Sequence, residues 1–247
     1  MTADPERRMS FWEHLIELRW RILISLAAIA VGAGIAFVFR EWLYWVLALP
    51  LLSVAPEMKL NYFAPQETFF VYIRLAFFGG LVLAAPVVLW QAWAFFSPAF
   101  KPTERKAVVP VLPLVLVLFV AGVLFVYYVL LPVSLRFLLG FAPEMLEAEL
   151  HQDRYFGFVT ALALAGGLLF ELPVVMGIMG YAGLVNSRWL WQHSGHALVV
   201  LMILAANITP TGDAFNMLVL TAPLMLLYLA GIVVVWAIQR KSRYKSL

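Results

Sequence analysis

Positive charge alternates with apolar runs along this chain, and that alternation fixes both its solvent and its orientation. In order, Lys and Arg sit at Arg7, Arg8, Arg19 and Arg21, then Lys101, Arg105 and Lys106, then Arg188, then Arg240, Lys241, Arg243 and Lys245. These groups occupy every second connection between apolar runs. The intervening connections hold only Arg40, Lys59, Arg74, Arg136 and Arg154, diluted among acids. Positive residues in short loops stay cytoplasmic, so both termini are expected inside and the number of spans even. The chain is 64% hydrophobic and 13% charged, against about 25% charged for an average soluble domain. A water-soluble fold of 247 residues cannot hide that much apolar side chain. The bilayer must solvate most of it.

The net charge of +3 is therefore a topology signal. The basic residues are spread over loops and a tail with no stripe of exposed aromatics between them, so no nucleic-acid partner is expected. Cysteine is absent, which excludes disulfides and thiolate metal sites. Arg7 and Arg8 precede a long apolar run. No small-x-small cleavage site follows it, so it reads as a retained span and not a cleaved signal.

Residues 10–21 read as a short amphipathic helix at the cytoplasmic surface, with Ser10 and Glu13 spaced as a capping box. Six spans follow, at about 22–39, 69–95, 108–131, 155–181, 196–208 and 216–238, in one membrane domain covering 1–247. The fifth run has about 13 residues against the roughly 20 that cross hydrocarbon. Residues 40–68 form an outside loop with Trp42, Tyr44 and Trp45 at interface depth, where Pro50, Pro56 and Pro65 forbid one long helix. The fold class is an all-α polytopic membrane protein of six transmembrane helices with cytoplasmic N- and C-termini.

The chemistry on offer is sparse. No phosphate-cradling Gly-Lys-Ser/Thr loop and no zinc-protease helix is present, so no catalytic residue, metal or cofactor is assigned. His193-Ser194-Gly195-His196 is the tightest cluster and reads as interfacial histidines beside Trp189 and Trp191. Three acids stand out. Glu171 lies inside the fourth span beside Pro173. A charge there costs about 2.5–3.5 kcal/mol on insertion scales, so such a group usually faces protein or water and marks function. Glu17 and Glu104 lie among basic residues on the cytoplasmic side. Each alone is an ordinary solvated charge. Together, left free of partners, they suit a ligand with paired arginines, because guanidinium grips carboxylate bidentately.

The segment His14-Leu15-Ile16-Glu17-Leu18-Arg19 resembles the amino-terminal signature of the TatC family, receptor subunits of twin-arginine protein translocases. So do Gln91-Ala92-Trp93-Ala94-Phe95-Phe96-Ser97-Pro98 running on to Glu104-Arg105, then Phe170-Glu171-Leu172-Pro173-Val174, Thr209-Pro210 with Asp213, and Ala222-Pro223-Leu224. The matches fall in family order and cover almost the whole chain. The resemblance implies a curved, concave bundle with short helices 5 and 6 in the cell inner membrane. It implies a receptor for twin-arginine signal peptides of folded cargo, driven by the proton-motive force, with Glu17, Arg19, Phe95, Glu104 and Arg105 at the peptide site. It further implies that Glu171, with Pro173, Asp213 and Asn216, meets the single-span subunits TatA and/or TatB in a multimeric complex, and that Pro50 shapes the first outside loop. Two departures stand against the family pattern. Asn216-Met217 occupy the place where a Gln is common, and Leu229 follows Tyr228 where a Glu is common. A proton-coupled secondary transporter with Glu171 as its coupling carboxyl is the runner-up. An intramembrane hydrolase built on Ser194 and a flanking His is the third reading.

Overall fold

The computed structural model describes residues 11–97, 111–140, 149–208 and 214–244. Helix α1, Phe11–Val38, is continuous. Residues 11–21 are thus its inner end and not a separate surface helix: no Pro or Gly separates Arg21 from Ile22, so the backbone ladder runs on. Ser10, half of the expected capping box, lies outside the described residues. After a turn at Phe39, α2 covers Arg40–Val54. The first half of the expected outside loop is therefore helical, with Pro50 inside the helix. Proline frees the carbonyl four residues back, here that of Val46. The Tyr127 hydroxyl donates to that oxygen at 2.6 Å, and the buried Tyr155 hydroxyl donates to the next carbonyl, Leu47 O, at 2.8 Å. Tyr127, from a later span, thus stands in for the missing amide, with Tyr155 one residue along.

Helix α3, Glu67–Phe96, returns to the inner side. It crosses α1 at Gly32 and Gly80, where a Cβ on Gly32 would lie 2.7 Å from Gly80 O. Small residues let the two backbones touch, the usual device for helix contacts in lipid. The third span comprises α4, Leu112–Phe125, a π turn at Val126–Leu130, and α5, Leu131–Gly140. The wide turn lies directly before Pro132, whose absent N–H interrupts the normal ladder. Leu131 N bonds instead to Val126 O. The expected fourth span is two helices, α6 at Gln152–Leu169 and α7 at Leu172–Tyr181, separated at Phe170–Glu171.

Helix α8, Ser187–Gln192, leads into α9, Ser194–Ile208, and α10 spans Ala214–Tyr244. Among the described residues, five helical stretches are long and apolar enough to cross a bilayer, and Ser194–Ile208 is the shorter sixth. Its 15 residues reach only about 22 Å. His193, with φ −100° and ψ 15°, stops α9 from continuing back into α8. Helix 6 is not short: α10 has 31 residues, because Pro223 alone does not end it. The buried core joins α2, α3, the π turn, α6 and α10 through residues such as Leu51, Leu75, Leu130, Phe156 and Leu224. On the outer side, Leu60–Asn61 (β1) pairs in parallel with Leu150–His151 (β2), tying the two outside loops together.

Candidate functional site

The inner ends of α1 and α3 build one polar cluster. His14, Glu17 and Arg21 follow at helical spacings of three and four, so they share a face of α1. Gln91 and Phe95, four apart, share a face of α3. The His14 ring stacks on Phe95, with centroids 4.4 Å apart and planes at 14°. Arg21 spans the helices: its Nη1 donates to Gln91 Oε1 at 2.9 Å and its Nη2 to Glu17 Oε1 at 3.0 Å. The second Glu17 oxygen, Oε2, is buried and accepts no hydrogen bond from the described residues, with His14 Nδ1 3.9 Å away. Glu17 is therefore not the free acid expected from sequence. An in-chain guanidinium holds one oxygen, and the other is unfilled. The Glu17 side chain retains 18% exposure, so the cluster opens to the inner surface. Arg19 turns to the exposed side of α1. Glu104 and Arg105 lie outside the described residues.

Glu171 sits at the break between α6 and α7, where Pro173 cannot donate an N–H. Its backbone is satisfied: Glu171 N donates to Leu168 O, and Glu171 O accepts from Val174 N and Val175 N. Its carboxyl is not. The residue is 8% exposed, and both carboxyl oxygens are buried without a hydrogen-bond partner among the described residues. A polar group left so at membrane depth is costly unless something else meets it. Pro173 is buried beside it. Asn216, on the first turns of α10, is also buried. No bond between Asn216 and Glu171 joins them into one cluster. Asp213 lies outside the described residues.

The histidine pair does not form a nucleophile site. His193 Nδ1 lies 2.9 Å from Trp189 O, and its ring stacks on Trp189 at 4.4 Å. It is oriented by its own helix turn and not by Ser194.

Sequence reasoning passed over Arg21 and Gln91 as members of the inner site. The signal was there for Arg21, since Glu17 and Arg21 have the i,i+4 spacing of a helical ion pair. Gln91 is a lone amide in an apolar run, and nothing in the sequence names its partner. A second cluster, on the outer side, was also missed. Arg74 Nη1 donates to the Asp153 carbonyl at 2.6 Å and meets Asp153 Oδ1 at 2.8 Å. Glu67 accepts from Phe63 N at 2.8 Å and Asp153 N at 3.2 Å, and Gln152 Nε2 donates to Thr68 Oγ1 at 2.7 Å. Apart from Phe63 and Glu67, these partners lie 79 to 86 residues apart along the chain, beyond the reach of local patterns.

Comparison with known proteins bears on the same elements. The model of the family TatC, Sec-independent protein translocase protein, matches residues 13–223. The TatC protein of Carboxydothermus hydrogenoformans is 34% identical over 96% of this chain and 97% of its own length. That of Magnetococcus marinus is 38% identical over 98% of this chain and 89% of its own. A crystal structure of the twin-arginine translocase receptor TatC superposes with a TM-score of 0.79 at 36% identity, covering 90% of this chain and 97% of that one. A second, in detergent, gives a TM-score of 0.80 at 35% identity. A protein-translocase family leaves no support for the secondary-transporter alternative. With its apolar helices, its paired inner cluster and a match over nearly its full length, this multi-pass membrane protein belongs to the TatC family of Sec-independent protein translocase components.

Proposed function

We propose that the Glu17 cluster is the cytoplasmic site at which this translocase core subunit receives the paired arginines of a signal peptide on folded cargo. The observation that carries this reading is the half-filled carboxylate: Glu17 Oε2 is buried and, among the described residues, accepts no hydrogen bond, while the side chain as a whole keeps 18% exposure. A guanidinium reaching it would add charge-assisted bonds of roughly 1.5–3 kcal/mol each. Phe95, stacked on His14, supplies an apolar wall for the peptide's hydrophobic stretch, worth roughly 25 cal/mol per Å² buried. Glu104 is the acid for the second arginine, with Arg19 and Arg105 ordering the approach. The chain performs transport and not catalysis, with the proton-motive force as its energy source.

Glu171, with Pro173, Asp213 and Asn216, is the intramembrane contact for single-span partners, TatA and/or TatB, in a multimeric complex. The buried carboxyl without a hydrogen-bond partner supports this reading, because a partner helix carrying a polar side chain would satisfy it. Pro50, whose unpaired carbonyl partner at Val46 is met by Tyr127, shapes the first outside loop.

The test is charge reversal at Glu17 and at Glu104, scored by export of twin-arginine cargo alongside membrane insertion of the variant. Loss of export with normal insertion is expected for each. Unchanged export in both variants ends the assignment.

A further inference from the structure

Arg21 occupies the place that an incoming arginine needs. It is a guanidinium already bonded to Glu17 Oε1, and its other terminal nitrogen rests on Gln91 Oε1. The fork that normally grips one carboxylate with two parallel bonds is here split between two acceptors on two helices. Glu17 is left with one oxygen taken and one buried and empty. Gln91, 9% exposed, is a neutral acceptor beside it that Arg21 keeps if it leaves Glu17.

We propose that Arg21 is an in-chain competitor at the receptor site: it holds Glu17 as a stand-in for the signal peptide's guanidinium and gives way, resting on Gln91, when a ligand cation takes the carboxylate. This rests on the reading of Glu17 as the arginine acid. The physical reason is an exchange balance. An arginine in the ligand replaces the bond it breaks and adds one on Oε2, so displacement is favourable. A lysine, a strongly hydrated point cation without a planar fork, replaces one bond at most. The cost of displacing Arg21 is common to both ligands, so Arg21 lowers the affinity for each by the same factor. Were Arg21 only a strut between α1 and α3, its loss would weaken every ligand instead.

The experiment measures binding of two synthetic signal peptides, identical except for Arg-Arg or Lys-Lys, to the full chain in nanodiscs. In Arg21→Gln the affinity for both peptides should rise about tenfold, the order of one charge-assisted hydrogen bond, with their ratio unchanged. In Arg21→Lys, which keeps a cation on Glu17, both should rise by a smaller factor. Unchanged or weakened Arg-Arg binding in Arg21→Gln overturns the proposal. Glu17→Gln separates the two layers. If it abolishes Arg-Arg binding while Arg21→Gln does not tighten it, only the competition is wrong. If Glu17→Gln leaves Arg-Arg binding intact, the receptor reading falls and takes the competition with it.

Discussion

Helix α3 carries a polar cluster at each end, and the two are finished to different degrees. At the outer end, Glu67 receives a backbone amide on each oxygen, and Asp153 meets Arg74 through both its side chain and its carbonyl. These two outer carboxylates are saturated, and they close two loops on each other. At the inner end, Glu17 has one hydrogen-bond partner and, among the described residues, one buried oxygen that accepts no hydrogen bond. Glu171, midway through the fourth span, is the extreme case, with both oxygens empty. Saturated carboxylates fix structure. A carboxylate left unfilled at a cost in desolvation keeps its bonding capacity for something that arrives later.

That contrast breaks most visibly at Glu17. Glu17→Lys should lower twin-arginine peptide binding by about 100-fold or more, since it removes charge-assisted bonds and sets a cation against Arg21. The outer cluster should be untouched, as read by unchanged hydrogen exchange at the amides of Phe63 and Asp153. Binding within a few-fold of wild type would mean that the empty oxygen at Glu17 is no receptor.

Glu171→Ala should act on assembly and spare recognition. Co-purification with a single-span partner is expected to fall about tenfold, the scale of one interhelical hydrogen bond at the upper end measured in membranes, with peptide binding nearly unchanged. Equal losses in both assays would indicate a collapsed bundle instead. Glu67→Ala reverses the pattern. The Phe63 and Asp153 amides lose their acceptor and should exchange faster, and peptide binding should stay at wild-type level. A drop in binding there would show that the outer clasp is not merely structural.

The spans and their orientation were legible because hydropathy and loop charge are local signals. Glu17, Phe95 and Glu171 were legible as residues, but their states were not. The claim of Glu17 on Arg21 follows from helix spacing, yet the bridge to Gln91 depends on how α1 crosses α3. That crossing is set by the Gly32–Gly80 contact, and no local pattern announces which glycines will meet. The helical run through Pro50 was illegible for a related reason. Proline's cost is local to its own segment, but the hydroxyl that offsets it comes from Tyr127, far along the chain.

The smallest expected effect lies at that proline and tests whether saturation on the outer side extends to the backbone. Tyr127→Phe removes the donor to Val46 O and should destabilise the purified protein by about 1–3 kcal/mol, the cost of a buried acceptor left unpaired. In a Pro50→Ala background the restored amide at position 50 can take Val46 O itself, so the same Tyr127→Phe change should cost less than about 1 kcal/mol. Thermal unfolding of the four variants in detergent gives the coupling directly. Costs that add within about 0.5 kcal/mol would mean that proline and hydroxyl are independent. The 2.6 Å contact would then be incidental packing. A clear shortfall from additivity would identify Tyr127 as the group that lets a proline sit inside α2, and would put the backbone at Pro50 among the saturated elements that hold the outer face rigid while the inner one stays receptive.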